Sequence, residues 1–247
     1  MRTVKFAAGR YVFGVASILL GIANLALHDQ LTSNWTLPGD AVFLVVASLA
    51  QIAGGAAIQF PKTERLGALV LGSVYLVFAF TFVPSIVAQP GVYYTWGNIF
   101  YRLASVCGAA VAYCMAAPAT PNAKVICKAS VVIAGLCYAS FAIEQVEYLA
   151  RTSSLVPKWV PPNGIFWTWA TTVAFGLAGI SLVTGFKALL ASRLTTLMFV
   201  IFVITIWIPI LIADPKTHSN WAEGIETLLI AGAGWIVSDY LGRKTIA

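Results

Sequence analysis

Long apolar stretches alternate with short polar segments along the whole 247-residue chain. Each stretch approaches the length of about 20 residues that an α-helix needs to cross a bilayer. The apolar residues are contiguous, whereas those in strands of a membrane barrel alternate with polar ones. The pattern therefore predicts an all-α, polytopic membrane protein with eight membrane-spanning helices. Their predicted limits are Tyr11–Leu27, Ala41–Phe60, Leu66–Ala88, Gly97–Ala117, Val125–Ala150, Gly164–Phe186, Thr195–Ala213 and Ala222–Leu241.

Composition and charge placement support this class. Hydrophobic residues make up 60% of the chain and charged residues only 10%, whereas soluble domains carry about a quarter charged residues. Eleven of the 15 Lys and Arg residues fall on one side of the predicted spans, and such an excess marks the cytoplasmic side. We therefore expect a multi-pass protein of the cell (inner) membrane, with both termini cytoplasmic and the lipid bilayer as its surroundings. No basic stripe marks a nucleic-acid partner.

The two halves of the chain form an internal repeat. A shift of 125 positions aligns them through their middle, and the matched pairs are Pro84 with Pro209, Ala88 with Ala213, Pro90 with Pro215 and Trp96 with Trp221. The first helices of the halves match at a shift of 114, so the second half carries about 11 extra residues, from Arg151 to Pro162. Four spans per half give both halves the same orientation, as in a parallel repeat. We predict two tandem four-helix units, residues 1–118 and 119–247.

Each unit resembles the DoxX/DoxD superfamily of small membrane proteins. The resemblance is carried by Gln51-Ile-Ala-Gly-Gly-Ala-Ala57 in the second span, by Ala174-Phe-Gly-Leu-Ala-Gly179 in the sixth, by the proline-bearing third span and by the Trp that opens the fourth. The family pattern often has Glu where Gln51 stands, and the second half has Gly176 there. The resemblance implies two four-helix bundles in a bacterial-type inner membrane. Some members of the superfamily are subunits of thiosulfate:quinone oxidoreductase or of other membrane redox complexes.

Two functions follow from these observations. The resemblance implies a non-catalytic membrane subunit or anchor of a quinone-linked redox system, with a quinone as the one cofactor and a membrane or periplasmic redox protein as partner. The repeat, the kinked helices and a charge at depth favour instead a small-molecule or lipid transporter with an outward-facing cavity between helices. The chain offers no self-sufficient catalytic constellation, so at most it is a subunit of a membrane oxidoreductase.

Arg102 is the charge that most needs an explanation, because it lies about six residues inside a predicted span. An unpaired Arg there costs at least about 2.5–3.5 kcal/mol. Asp29, at the end of the first span, is the first partner we name for a salt bridge, and an anionic headgroup or substrate is the alternative. His28 is either a polar interface anchor or a group that titrates near neutral pH. Gln51, in the middle of the second span, needs a hydrogen-bond partner on another helix.

Four carboxylates form a second candidate site near the outer leaflet. Glu144 and Glu147 are three residues apart, as are Glu223 and Glu226, so each pair faces one side of its helix. If the two helices are neighbours, the four groups converge to bind a divalent cation or to share protons. The alternative is that they lie in water at the interface or pair with Arg151, Lys158 and Lys216.

Pro84 and Pro209 predict kinks near the outer ends of the third and seventh spans. Each removes a backbone hydrogen bond and frees the carbonyl four residues earlier, on Phe80 and Thr205. In lipid such a carbonyl must find a partner or line a wet cavity. The kinks therefore either shape the bundle or open a cavity to the outer side.

The remaining polar candidates point to packing. The four cysteines are Cys107, Cys114, Cys127 and Cys137. They include no Cys-x-x-Cys motif, which argues against thioredoxin-type chemistry and against a zinc site. With only two histidines in the chain, no pair of deep histidines is present to ligate haem. We therefore predict no catalytic residue and no metal ligand.

Overall fold

A computed structural model describes residues 8–27, 40–116 and 120–244, and these residues are almost entirely helical. The helices are α1 Ala8–Ala26, α2 Asp40–Ala57, α3 Glu64–Phe80, α4 Val83–Ala88, α5 Tyr93–Met115, α6 Pro121–Glu147, α7 Leu149–Leu155, α8 Gly164–Thr184, α9 Ala188–Phe202, α10 Ile208–Ala213 and α11 His218–Lys244, with a π-helix at Val203–Trp207. The predicted all-α class is confirmed.

Six helical segments within the described ranges are long and apolar enough to cross a membrane, rather than the eight predicted. They are Ala8–Ala26, Glu64–Ala88, Tyr93–Met115, Pro121–Glu147, Gly164–Thr184 and Ala188–Ala213. The apolar part of α2, Ala41–Ala57, is shorter than a span. The other predicted span that is not among these six is α11. This helix is 27 residues long, but Glu223, Glu226 and Asp239 reduce its apolar character. The chain is a multi-pass helical membrane protein by this measure.

The long helices pack in a closed ring. Neighbours along the chain pack together in order, from α1 on α2 to α9 on α11, and α11 returns to pack on α1. Helix α11 also packs on α5 across the middle of the ring. This crossing contact divides the bundle into two lobes that share α5 and α11 as a common wall. The first lobe contains α1, α2 and α3, and the second contains α6, α8 and α9.

Small residues bring the helices of each lobe close together. A Cβ on Gly14 would lie 2.6 Å from the carbonyl oxygen of Gly55, and a Cβ on Gly135 would lie 2.9 Å from that of Gly179. Without a hydrophobic drive between helices in lipid, such close backbone approach supplies the packing energy. The α1–α2 and α6–α8 contacts therefore both depend on glycine at the point where the backbones meet.

The predicted interruptions at Pro84 and Pro209 are present but differ in form. Helix α3 ends at Phe80, and Pro84 lies in the first turn of the separate helix α4. In the second half, α9 passes into the π-helix Val203–Trp207, and Pro209 lies in the first turn of α10. Single π-turns inside α-helices are frequent at functional sites. Each interruption lies beside a cavity, as described below.

The same hydrogen bond closes three turns between helices. The indole Nε1 of Trp96 donates to the carbonyl oxygen of Pro90 at 3.0 Å, and that of Trp221 donates to Pro215 at 2.8 Å. A third bond, from Trp167 Nε1 to the carbonyl oxygen of Pro161, is 2.8 Å long. A Pro six residues before a Trp is thus a turn motif of this chain. The third copy, whose proline lies in the extra segment and whose tryptophan lies in α8, was not predicted from the sequence.

The turn before α11 is also organised by Asp214. Its carboxylate accepts hydrogen bonds from Thr217 Oγ1 at 2.6 Å and from the backbone N–H of Lys216 at 3.3 Å. The Thr217 hydroxyl, with the backbone of Lys216 and the side chain of Asn220, lowers the pKa of this exposed carboxyl below its ordinary value. Asp214 therefore stays ionised as the anchor of the turn at neutral pH.

Candidate functional site: two cavities on a shared wall

Two cavities lie within the part of the chain that the structure describes, one in each lobe. The larger, of about 460 Å³, lies between α5, α6, α8, the α9–α10 region and α11. The smaller, of about 270 Å³, lies between α1, α2, α3 and the shared wall. We call them the large cavity and the small cavity. Five residues line both of them: Tyr94, Asn98, Tyr101, Glu223 and Glu226.

Arg102 lies in the shared wall, where its guanidinium contacts three other side chains. Its Nη1 donates to Asn98 Oδ1 at 2.9 Å, and its Nη2 donates to Glu226 Oε1 at 3.1 Å. The guanidinium carbon also lies 4.6 Å from the centre of the Phe82 ring. Its side chain is only 19% exposed, so this ion pair offsets a substantial cost of desolvation.

The partner of Arg102 is therefore a residue that sequence analysis had assigned to the carboxylate cluster. Asp29, the first partner named, and His28 both lie outside the described residues. Glu226 is 124 positions from Arg102 along the chain, on α11. Phe82, which covers the guanidinium, lies in the interruption between α3 and α4. The predicted break at Pro84 thus places an aromatic ring on the buried charge.

Polar side chains from three helices are connected in the small cavity. Asn24 Nδ2 on α1 donates to Gln51 Oε1 on α2 at 3.3 Å. Asn24 Oδ1 lies 3.0 Å from His218 Nε2, at the start of α11. Gln51 is 1% exposed, so it has the interhelical hydrogen bond that its position required. His218 was not predicted for this site, since only the fold brings it to α1.

Three of the four predicted carboxylates come together in the large cavity. Glu144 lines it from α6, and Glu223 and Glu226 line it from α11. Glu147 is exposed and is not part of the lining, because α6 ends at this residue. Arg151 lies 3.6 Å from Glu223 at the mouth, where the two side chains are 64% and 43% exposed. This pairing with Arg151 was one of the alternatives considered from the sequence.

Glu144 reaches the shared wall because α5 has a glycine opposite it. A Cβ on Gly97 would lie 2.8 Å from Glu144 Oε2 and 3.0 Å from Oε1. The Oε2 atom is buried, and no described residue forms a hydrogen bond with it. Glu144 therefore packs against the backbone of α5 at the edge of the large cavity, and its Oε2 accepts no hydrogen bond from the described residues.

Aromatic rings form most of the deep wall of the large cavity. Tyr101 stacks on Phe141 with ring centres 4.7 Å apart, and Phe175 meets Phe141 edge-on at 5.7 Å. Phe199 lies 5.3 Å from Phe175. Other aromatic residues line the cavity nearer its mouth and along α9: Tyr94, Tyr148, Trp159, Trp167, Phe202 and Trp207.

The extra segment of the second half covers the large cavity. It contains α7 and the turn that follows, and its lining residues are Arg151, Thr152, Leu155, Val156, Pro157, Trp159 and Val160. The backbone N–H of Tyr94 donates to Tyr148 Oη at 3.0 Å, which ties the start of this segment to α5. A Cβ on Gly164 would clash with the carbonyl oxygen of Ser153, so α7 packs directly on the start of α8. We call residues 148–163 the cap.

The other candidate chemistry finds little support. Within the described ranges, no three His, Cys, Asp or Glu side chains are grouped so that they could hold a metal ion. All four cysteines are buried and unbridged, at the packed surfaces of α5 and α6. Comparison of the chain with protein-family models, curated proteins and solved structures found no match in any of the three.

Proposed function

We propose that this protein binds an amphiphilic small molecule in the large cavity and carries it, or presents it, at the outer side of the membrane. The observation that supports this function is the combination of an aromatic wall with charged groups in one cavity of ligand size. Small-molecule sites are typically about 300–1,000 Å³, mostly apolar, with a few polar groups that orient the ligand. The large cavity has all three properties.

The cavity-filling variant Thr171→Trp tests this function. Thr171 lines the cavity from α8, whereas Val173, two residues along, is 56% exposed on the outside of the bundle. We expect small molecules extracted from the purified protein, identified by mass spectrometry, to be lost in Thr171→Trp and retained in the matched control Val173→Trp. Identical extracts from both variants and the wild type would contradict the proposal.

We propose further that the two halves are tandem DoxX-like units, residues 1–118 and 119–247. Two pairs related by the 125-residue shift support this, because each pair lines the small cavity with one member and the large cavity with the other. The pairs are Phe82 with Trp207 and Arg102 with Thr227. In this proposal α2 and α11 also lie across the bilayer, since both pack between candidate spans. Both termini are then cytoplasmic, in the inner membrane.

The second candidate function is that of a non-catalytic membrane subunit of a quinone-linked redox system. Its support is the DoxX-like sequence pattern and the hydrogen-bond donors that line the small cavity, among them Asn98, Arg102 and His218. Quinone carbonyls accept such bonds. We expect purification in mild detergent to yield bound quinone and a redox protein partner if this function is correct. A chain that purifies alone and without quinone would contradict it.

A further inference from the structure

The charges around the large cavity do not balance. Three carboxylates line the cavity, from Glu144, Glu223 and Glu226, and the ion pairs that involve them use two guanidiniums. Arg102 is committed to Glu226 and Asn98. Arg151 is mostly in solvent and lies 3.6 Å from Glu223. Glu144 forms no salt bridge with any described residue, and the cation that influences it, Arg151, is the one paired with Glu223.

Glu144 lines the large cavity where α6 meets Gly97 of α5. Its buried Oε2 has no hydrogen bond from any described residue, and it faces the backbone of α5 at Gly97. A buried carboxylate oxygen without a donor is unfavourable. A ligand that brings a positive charge into the cavity beside this carboxylate offsets part of that cost.

The aromatic wall favours the same kind of ligand. A cation above the face of an aromatic ring is attracted by the ring quadrupole, and more strongly where the pair is desolvated. Tyr101 and Phe141, the stacked pair, line the cavity together with Glu144. Trp159 and Trp167 line the side nearer the cap. Aromatic cages of this composition are a known means of recognising quaternary ammonium groups.

We propose that the large cavity binds an organic cation, a protonated or quaternary amine on an aromatic or branched apolar body, with Glu144 as its counter-ion. The inference rests on the proposed function, because it names the ligand class of the same cavity. An anionic ligand would meet three carboxylates, and the buried arginine that could hold it is engaged by Glu226 and covered by Phe82. A neutral amphiphile without a hydrogen-bond donor would leave Glu144 unsatisfied.

The experiment compares two ligands of the same shape. Phenylbutyltrimethylammonium carries the charge, and its tert-butyl analogue replaces the ammonium nitrogen by carbon. Binding to the full-length protein in detergent is measured by quenching of tryptophan fluorescence. We expect the cation to bind about tenfold more tightly than the isostere, equivalent to about 1.4 kcal/mol. We expect Glu144→Gln to abolish most of this difference.

Matched variants separate the role of Glu144 from general effects on the fold. Glu147→Gln removes a charge one turn further along α6, outside the cavity, and should leave both affinities unchanged. Gly97→Ala keeps every charge but places a Cβ 2.8 Å from Glu144 Oε2. Alanine is a better helix former than glycine, so this variant folds while displacing the carboxylate. It should weaken binding of the cation and leave that of the isostere unchanged.

Each outcome decides between the two proposals. Equal affinity for both ligands, abolished by Thr171→Trp, would overturn the cation inference and leave the proposed function standing. Binding of neither ligand would overturn the cation inference, and the mass-spectrometric comparison of Thr171→Trp with Val173→Trp would then decide the proposed function independently. Tighter binding of phenylpentanoate, an anion of similar size, would also overturn the inference.

Discussion

At the scale of single residues, Arg102 shows what a sequence can and cannot establish about a buried charge. Its depth in an apolar stretch was enough to predict that it needs a partner. The identity of that partner depends on α11 packing against α5, a contact between opposite halves of the chain. No spacing rule within one helix relates Arg102 to Glu226, so this partner became evident only in the fold.

The ion pair in the shared wall gives a first prediction. Arg102→Met leaves Glu226 without its cation, and we expect a loss of about 2 kcal/mol in the free energy of unfolding. The double variant Arg102→Met with Glu226→Met removes both charges and should recover most of the loss. Thermal unfolding in detergent measures both. If the double variant is no more stable than the single one, the pair does not stabilise the wall.

The carboxylate cluster was partly predictable for a similar reason. Spacing by three residues correctly placed Glu223 and Glu226 on one side of a continuous helix. The same spacing failed for Glu147, because α6 ends there and the chain turns into the cap. The unsatisfied oxygen of Glu144 could not be predicted, since it depends on the glycine that α5 presents at position 97.

At the scale of elements, the two prolines marked the interruptions, but the form of each one differs. In the first half, two residues between α3 and α4 separate the helices and direct Phe82 onto Arg102. In the second half, the helix continues through a π-turn before Pro209, and Trp207 at the end of this turn lines the large cavity. Proline excludes one backbone hydrogen bond in both cases, and the surrounding packing decides how the chain accommodates its loss.

Two glycines in α8 give a second prediction with an internal control. A Cβ on Gly179 would lie 2.8 Å from the carbonyl oxygen of Gly135 and 3.1 Å from Ala139 N, whereas a Cβ on Gly176 would meet nothing within 4 Å. We expect Gly179→Ala to lower the free energy of unfolding by about 1–3 kcal/mol. Gly176→Ala should raise it by up to about 1 kcal/mol, through helix propensity. Unfolding in detergent compares them, and equal effects would contradict this account of the α6–α8 contact.

The cap gives a third prediction. Gly164→Ala introduces a Cβ into the carbonyl oxygen of Ser153, so α7 must move away from α8. We expect faster hydrogen–deuterium exchange in residues 149–163 and unchanged exchange in the rest of α8. Gly91→Ala is the control, because its Cβ would meet nothing within 4 Å. Unchanged exchange in the cap of Gly164→Ala would show that the α7–α8 contact does not hold it in place.

At the scale of the whole molecule, hydropathy predicted where the helices lie but not how they are arranged. Thr195 was predicted as the start of the seventh span, yet α9 begins at Ala188. The order of packing and the crossing contact of α5 with α11 have no signature in a one-dimensional pattern. The cavities follow from that contact, so the sequence could not indicate their walls.

The orientation proposed from the positive charges gives the last prediction, and α11 is its most demanding case. If α11 crosses the bilayer, residue 216 lies outside while the C-terminus is cytoplasmic. In intact cells, a membrane-impermeant maleimide should label Lys216→Cys and Lys158→Cys. It should label Lys62→Cys and Lys187→Cys only after the membrane is permeabilised, and a C-terminal tag should likewise become accessible only then.

The native cysteines are buried, so the wild-type protein provides the unlabelled background for this experiment. Labelling of residue 216 and access to the tag from the same side would mean that α11 does not cross, despite its 27 residues. In that case the membrane would not explain why Glu226 and Glu223 of α11 form ion pairs with Arg102 and Arg151. A crossing α11 explains both its polar residues and its central place, because a helix enclosed by α1, α5 and α9 presents its charges to protein and cavities rather than to lipid.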